Sequence, residues 1–339
     1  MRRGWLAIAA ISMIVVFALS GCANKWVTSG KIAMNGKNYD KAIADFDKAL
    51  EENPENGEAH YYLAECYKEK DDFGKMLPHL EAAERLYPKK ADKMEDLRKS
   101  AWTKLFESGK DKAEEEKWAE SRDDFKLAMT VLPSRYETYS NLGYVWQRLN
   151  DNDSAFFYYS KAYEIAPDEM IVLENYASFC FNVEKYDLAK EMYLKLLEKD
   201  PNHAGAMARL GDIYGQEKKF QTAVDYYNQA LEIEQDNCNL WFSLGVLYFQ
   251  EMKDNENAIN AFSRAVELCP DDINAFVNLA IALIMAGRFD EAVDKLAVFV
   301  DDHPDDCTGW DLYSQALLRK GMRKQAQEAY KKYEECSGK

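Results

Sequence analysis

Residues 136–167 read YETYSNLGYVWQRLNDNDSAFFYYSKAYEIAP, and residues 170–201 read MIVLENYASFCFNVEKYDLAKEMYLKLLEKDP. Both segments close on a proline, with an alanine twelve residues earlier (Ala155, Ala189) and a tyrosine eight residues earlier (Tyr159, Tyr193). Working outward, seven of the eight prolines stand at 54, 88, 133, 167, 201, 270 and 304, with gaps of 34, 45, 34, 34, 69 and 34. The gap of 69 is two repeats with one extra residue, and Gln235 stands where the middle proline would be. A fixed period of this size marks a repeat architecture in which each unit is one supersecondary element.

The other recurrent positions say which element. Ala42, Ala155, Ala189, Ala223, Ala258 and Ala292 precede their joints by twelve residues. Ring and alanine pairs then follow on one helical face: Phe46 with Ala49, Phe125 with Ala128, Tyr159 with Ala162, Tyr227 with Ala230, Phe262 with Ala265. Upstream, Leu142-Gly143, Leu210-Gly211 and Leu244-Gly245 recur, with Leu63-Ala64 and Leu279-Ala280 as equivalents. Glycine inside a helix costs about 1 kcal/mol, so its repetition implies a close helix contact. Proline at each joint ends one hairpin and opens the next. This pattern resembles the tetratricopeptide repeat over residues 23–339, with units beginning at Ala23, Gly57, Trp102, Tyr136, Met170, Ala204, Cys238, Ile273 and Cys307. The resemblance implies an all-α solenoid of about nine antiparallel helix hairpins in a right-handed superhelix, whose first helices line a concave groove for protein partners. Such units cannot bury their apolar faces alone and are stable only when stacked.

Three irregularities are visible. Ala91 to Ala101 adds eleven residues that should lengthen the third unit's first helix. Pro78 falls inside a second helix, where it should kink or delay it. The last unit lacks a closing proline, and its charged second helix, Gln325 to Cys336, should serve as the array's cap.

The first 21 residues differ from the rest: Arg2 and Arg3, a nearly unbroken apolar run from Trp5 to Leu19, then Leu19-Ser20-Gly21-Cys22. This reads as a signal peptide, the alternative being an uncleaved anchor, for which the run is short. The last four residues resemble the lipobox of bacterial lipoproteins, which implies diacylation (palmitate and its kin) of Cys22 and tethering to a membrane. Ala23 after that cysteine leans toward the outer membrane, facing the periplasm, with inner-membrane anchoring left open.

Acidic residues outnumber basic ones 59 to 43, a net charge of -16, which argues against nucleic acid as a partner. No nucleotide-binding, hydrolase or C-x-x-C motif occurs, so an enzyme is the poorer reading. The four histidines include no pair at helix-turn spacing, so neither a metal nor a cofactor is expected. Cys238 opens and Cys269 closes one hairpin, and Cys307 and Cys336 hold nearly the same places in the last. Export permits disulfides there, with packed thiols as the alternative. Cys66 and Cys180, in first helices three units apart, are expected to be packed thiols.

For partner binding, the family's groove asparagine is matched by Asn141, Asn175 and Asn278, and Arg209 interrupts the row. Phe242, Val246, Phe249, Val277, Ile281 and Ile284 should make the C-terminal groove apolar, either as an interface or as a surface covered by the solenoid. The expected role is a non-catalytic scaffold that assembles or positions a cell-envelope complex. In layout it is similar to lipoproteins that pilot secretins or scaffold peptidoglycan hydrolases, and the alternative is a self-associating structural protein.

Overall fold

A computed structural model describes residues 24–338. No strand occurs among the described residues, which divide into two compact units that part after Pro167. The first unit holds four hairpins: α1 (Lys25–Asn35) with α2 (Tyr39–Glu52), α3 (Gly57–Glu69) with α4 (Phe73–Leu86), α5 (Ala91–Glu114) with α6 (Trp118–Val131), and α7 (Tyr136–Arg148) with α8 (Asn152–Ile165). The second holds five: α9 (Met170–Asn182) with α10 (Tyr186–Lys199), α11 (Ala204–Gln216) with α12 (Phe220–Ile233), α13 (Cys238–Val246) with α14 (Asn255–Leu268), α15 (Ile273–Met285) with α16 (Phe289–Asp302), and α17 (Cys307–Lys320) with α18 (Arg323–Ser337). Within each unit the two helices of a hairpin pack together, and each second helix packs on the first helix of the next hairpin.

The hairpin contact is made by a small residue against a large one. A Cβ added to Gly30, Gly109 or Gly143 would lie 2.5–2.9 Å from ring carbons of Phe46, Phe125 or Tyr159. In the second unit, Gly245 stands in the same relation to Phe262, and Gly211 to Tyr227 at 3.1 Å. Phe46, Phe125 and Phe262 are wholly buried, and Ala49, Ala128 and Ala265 one turn on are buried with them. Those rings have no room to retreat.

The turn between the helices is equally regular. Lys37, Asp71, Glu116, Asn150, Glu184, Lys218 and Lys253 take left-handed backbone angles (φ 56–60°), and Gly287 and Gly321 occupy the last two equivalent places. In eight hairpins the N–H after this residue donates to the carbonyl five residues back, as Asp72 does to Tyr67 and Lys219 to Tyr214. This closes the first helix by the Schellman pattern. Side chains then cap many of the following helices, including those of Asn38, Asp72, Asp151 and Asp254.

The extra residue of the 69-residue gap has a definite place. Leu247–Glu251 forms a π-helical turn after α13, and the closing bond runs from Asp254 N–H to Tyr248, six residues back. The ladder has absorbed one residue without moving the next helix, as π turns do.

The eleven additional residues of the third hairpin extend α5 to 24 residues, with Met94 and Leu97 buried. Trp102 at its middle donates from Nε1 to Thr138 Oγ1 at 2.8 Å, and the Arg135 guanidinium lies 4.3 Å over its ring. Helix α4 runs unbroken from Phe73 through Pro78 to Leu86, neither ended nor delayed by it. Of α18 only Ala326 and Ala329 are fully buried, Tyr333, Glu334 and Cys336 are half-buried, and the other residues are exposed.

Two disulfides tie hairpin ends in the second unit, Cys238–Cys269 with Cα atoms 6.1 Å apart and Cys307–Cys336 at 5.6 Å. Both separations lie in the range that a bond spans without backbone movement. Cys66 and Cys180 are buried free thiols, and burial pushes each up to about 12.

Three outcomes follow from this packing. Gly245→Ala should lower the urea midpoint, because overpacking against a buried ring costs about 1–3 kcal/mol and outweighs the ~1 kcal/mol gain in helix propensity. Gly215→Ala, whose Cβ would meet only Leu247 Cδ1 at 3.7 Å, should be neutral or stabilising by up to about 1 kcal/mol. Reduction of the disulfides should release about 3–4 kcal/mol each, from loops of 31 and 29 residues. Faster hydrogen exchange confined to residues 238–269 and 307–336 would register it.

Candidate functional site

Within the second unit, the first helices α9, α11 and α13 leave an open hollow of ≈ 440 Å³. Phe181 comes from the end of α9, Asp212, Gly215 and Gln216 from α11, and Phe242, Ser243 and Val246 from α13. The π turn adds Leu247, Gln250 and Glu251. Tyr186 and Tyr227 reach it from the second helices, and Lys218 from the turn after α11. Phe181 and Tyr186 meet edge to face, with centroids 5.6 Å apart.

The polar part is centred on Asp212. Its carboxylate accepts a hydrogen bond from the Tyr227 hydroxyl and lies 3.2 Å from the Arg209 guanidinium, which also stands 4.9 Å over the Phe181 ring. Tyr227 is thereby held in its neutral form well above the ordinary phenol range, by burial first and the Asp212 charge second. The site is built to hold shape and charge; among the described residues no group of three or more His, Cys, Asp or Glu is placed to bind a metal ion.

Of the residues singled out from the sequence, Phe242 and Val246 line this hollow, and Arg209 borders it through Asp212 and Phe181. Phe249 is turned onto Phe262, centroids 6.5 Å apart, and Phe242 flanks the same ring at 5.8 Å. Val277, Ile281 and Ile284 are half-buried against the core formed by α14 to α18. These apolar residues therefore belong partly to the interior. Asn278 donates its side-chain amide to Asn274 O at 2.8 Å, and Asn141, in the first unit, donates to Glu137 O at 2.8 Å. Asn175 sits half-buried on α9. Cys22 lies outside the described residues.

Spacing missed two features. Tyr186, Tyr227 and Asp212 come to the hollow from three different helices, and the one advance signal was the extra residue in unit seven. His60 and His79, nineteen residues apart, meet with Nδ1 atoms 2.9 Å apart. His60 Nε2 stands 3.0 Å from the Pro54 carbonyl, which can only accept, so neutral His60 donates there and His79 donates from Nδ1 to His60 Nδ1. Tyr67 stacks on His79 at 5.7 Å.

Comparison with known proteins agrees with this geometry. Profiles described as tetratricopeptide repeat match residues 33–75, 136–169, 168–236 and 249–316. The chain belongs to the tetratricopeptide repeat proteins, whose fold is that of protein–protein interaction adaptors. Protein O-mannosyl-transferase TMTC3 of Homo sapiens is 26% identical over 204 residues, 55% of this chain and 22% of that protein. The human mitochondrial import receptor subunit TOM70 is 20% identical over 287 residues, 82% of this chain and 46% of that protein. The chain thus spans less than half the length of the curated relatives it matches. A crystal structure of a tetratricopeptide repeat protein from Parabacteroides merdae superposes with a TM-score of 0.52 at 20% identity, covering 69% of this chain and 93% of that one. At that identity the likeness is one of fold.

Burial first, then the neighbouring His60, pushes His79 down to about 4 from 6.5. The folded hairpin therefore binds fewer protons than the unfolded chain between those values, and stability present above about pH 6.5 is lost as pH falls toward 4. Unfolding of residues 57–86 followed by hydrogen exchange should show that loss, and His79→Gln should flatten it.

Proposed function

We propose that this chain is an exported, lipid-anchored adaptor, held at the outer membrane through Cys22 and facing the periplasm, that assembles or positions an envelope complex. The observation that carries the binding half is the hollow on three consecutive first helices: an open, aromatic-lined space joined to a polar rim, in a fold otherwise packed through its small-on-large contacts. Apolar hollows with a few placed polar groups are where proteins take ligands and partner side chains. Export is supported by the leader and by Leu19-Ser20-Gly21-Cys22, and the two disulfides suit an oxidising compartment. No helix among the described residues is long and apolar enough to cross a membrane. Like the lipoproteins that pilot secretins or scaffold peptidoglycan hydrolases, the chain would act by holding a segment of another protein.

The test has two parts. Cys22→Ser should move the protein from the detergent-extractable membrane fraction to the soluble periplasmic fraction or leave it as uncleaved precursor; unchanged fractionation would refute lipid anchoring. Crosslinking in intact cells followed by mass spectrometry should recover an envelope protein bound to residues of α9, α11 or α13. Recovery of copies of this chain alone would favour self-association.

A further inference from the structure

The charge of the hairpin turns follows a rule that the last hairpin reverses. In the eight earlier hairpins the turn, or the first three residues of the helix after it, carries at least one acid, among them Asp40, Asp71, Asp187, Glu217, Glu256 and Asp290. Several of these pair with a base of the next hairpin: Asp40 with Lys70, Asp71 with Lys104, Glu256 with Arg288 at 3.0 Å, and Asp290 with Lys320 at 2.8 Å. The ninth turn reads Leu318-Arg319-Lys320-Gly321-Met322-Arg323-Lys324, four bases and no acid, in a chain with 59 acids to 43 bases. Asp290 engages Lys320, whereas Arg319, Arg323 and Lys324 are exposed and have no ion-pair partner among the described residues. Of the acids on the flanking helices, Glu291 is held by Arg288, and Asp294 and Glu328 stand five residues past the starts of α16 and α18, roughly 7 Å behind the turn. Folding does not select these bases. Arg323 and Lys324 open α18, where the helix dipole disfavours positive charge, and the second place of α10, α14 and α16 holds Asp187, Glu256 and Asp290 instead.

Apolar side chains stand beside the bases. Leu318 is 58% exposed, and Met285, at the end of α15, is 66% exposed; α15 packs on α17, so both lie on the turn side of neighbouring hairpins. Seven of the eight residues from Leu318 to Gln325 are exposed, so the turn projects as a tip and forms no groove for a peptide. Bases joined to exposed apolar side chains are the composition that binds the interface of an anionic bilayer. A second copy is a poor complement: stacked end to end, it would bring its own first turn, with Lys37, Lys41 and an Asp40 already paired to Lys70, toward these bases. Resting on the membrane-attached reading above, we propose that the turn of the last hairpin docks on anionic phospholipid. Arg319, Arg323 and Lys324 meet the phosphates, and Leu318 and Met285 enter among the acyl carbons just below. The net charge of -16 keeps the rest of the chain off such a surface, so the contact is confined to this tip and fixes how the last hairpin faces the bilayer.

The test reconstitutes the full chain into vesicles of phosphatidylcholine, alone or with about a third phosphatidylglycerol, each containing a lipid with a photoreactive acyl chain. Lipid adducts are then mapped by mass spectrometry. Adducts at residues 318–324 should be about fivefold or more as frequent on the phosphatidylglycerol vesicles, the factor expected for even one base at an anionic surface. Arg323→Glu with Lys324→Glu restores the acid of the other turns and suits the helix dipole. It should bring the adducts down to the neutral-vesicle level with the melting temperature unchanged or raised. The proposal is overturned if the turn takes no adducts, takes them equally on both vesicles, or keeps them after the charge reversal. An acidic protein crosslinked at residues 318–324 in cells, with no lipid adduct in vesicles, would assign the tip to a protein and overturn it as well. Sedimentation separates this from failure of the attachment reading. A chain that stays with both kinds of vesicle but gives no adducts at the turn loses the docking alone, whereas a chain that pellets with neither loses the attachment and the docking with it.

Discussion

The contact on which the structure depends is the near approach of a first-helix glycine or alanine to a ring or leucine on the helix that follows it. Gly30 on Phe46, Gly143 on Tyr159 and Gly245 on Phe262 are instances of one geometry, and the glycine is required because a Cβ would overlap the ring. Helix propensity opposes this choice by about 1 kcal/mol at each position. Burial of a whole aromatic side chain, at roughly 1.5–3 kcal/mol, outweighs it. Because each ring also faces the next hairpin, stability within a unit accumulates by neighbour, and no hairpin is expected to stand alone.

Regular closure of the hairpins lets irregularity be tolerated where it occurs. A left-handed residue with its Schellman bond sets the turn in the same way from Lys37 to Gly321. An extra residue after α13 is therefore taken up locally as a π turn, and eleven extra residues before Trp102 simply prolong α5. The disulfides act at the opposite, open ends of two hairpins, where helix termini would otherwise fray. Surface ion pairs between neighbouring hairpins, such as Glu256 with Arg288 at 3.0 Å and Asp290 with Lys320 at 2.8 Å, are exposed and add little beside this.

Function in this fold comes from departures from the repeat. Where the pattern is kept, glycine meets a ring, as Gly143 meets Tyr159 and Gly245 meets Phe262. Where it lapses, at Gly215 and at the π turn, space appears between first helices and is walled by aromatics from four positions in the chain, with Leu247 among the aliphatic residues beside them. The Asp212–Tyr227–Arg209 cluster holds one side of that space in place, so the hollow is set before any partner arrives.

From the sequence alone came the repeat, the helix pairing, the identity of the core alanines and rings, and the cysteines able to meet across a hairpin. These depend on period and on residues close in the chain, which a sequence displays directly. The tertiary structure decided how far each apolar residue is withdrawn from water. Phe242, Val246, Phe249, Val277, Ile281 and Ile284 share one pattern in the sequence and all pack on the core, yet of these six Phe242 and Val246 alone also line the hollow. It likewise brought His60 to His79 and Tyr186 to Asp212's neighbourhood. Helical periodicity tells which face a side chain takes, but its burial depends on the atoms of other helices, and those are placed by packing across the repeat.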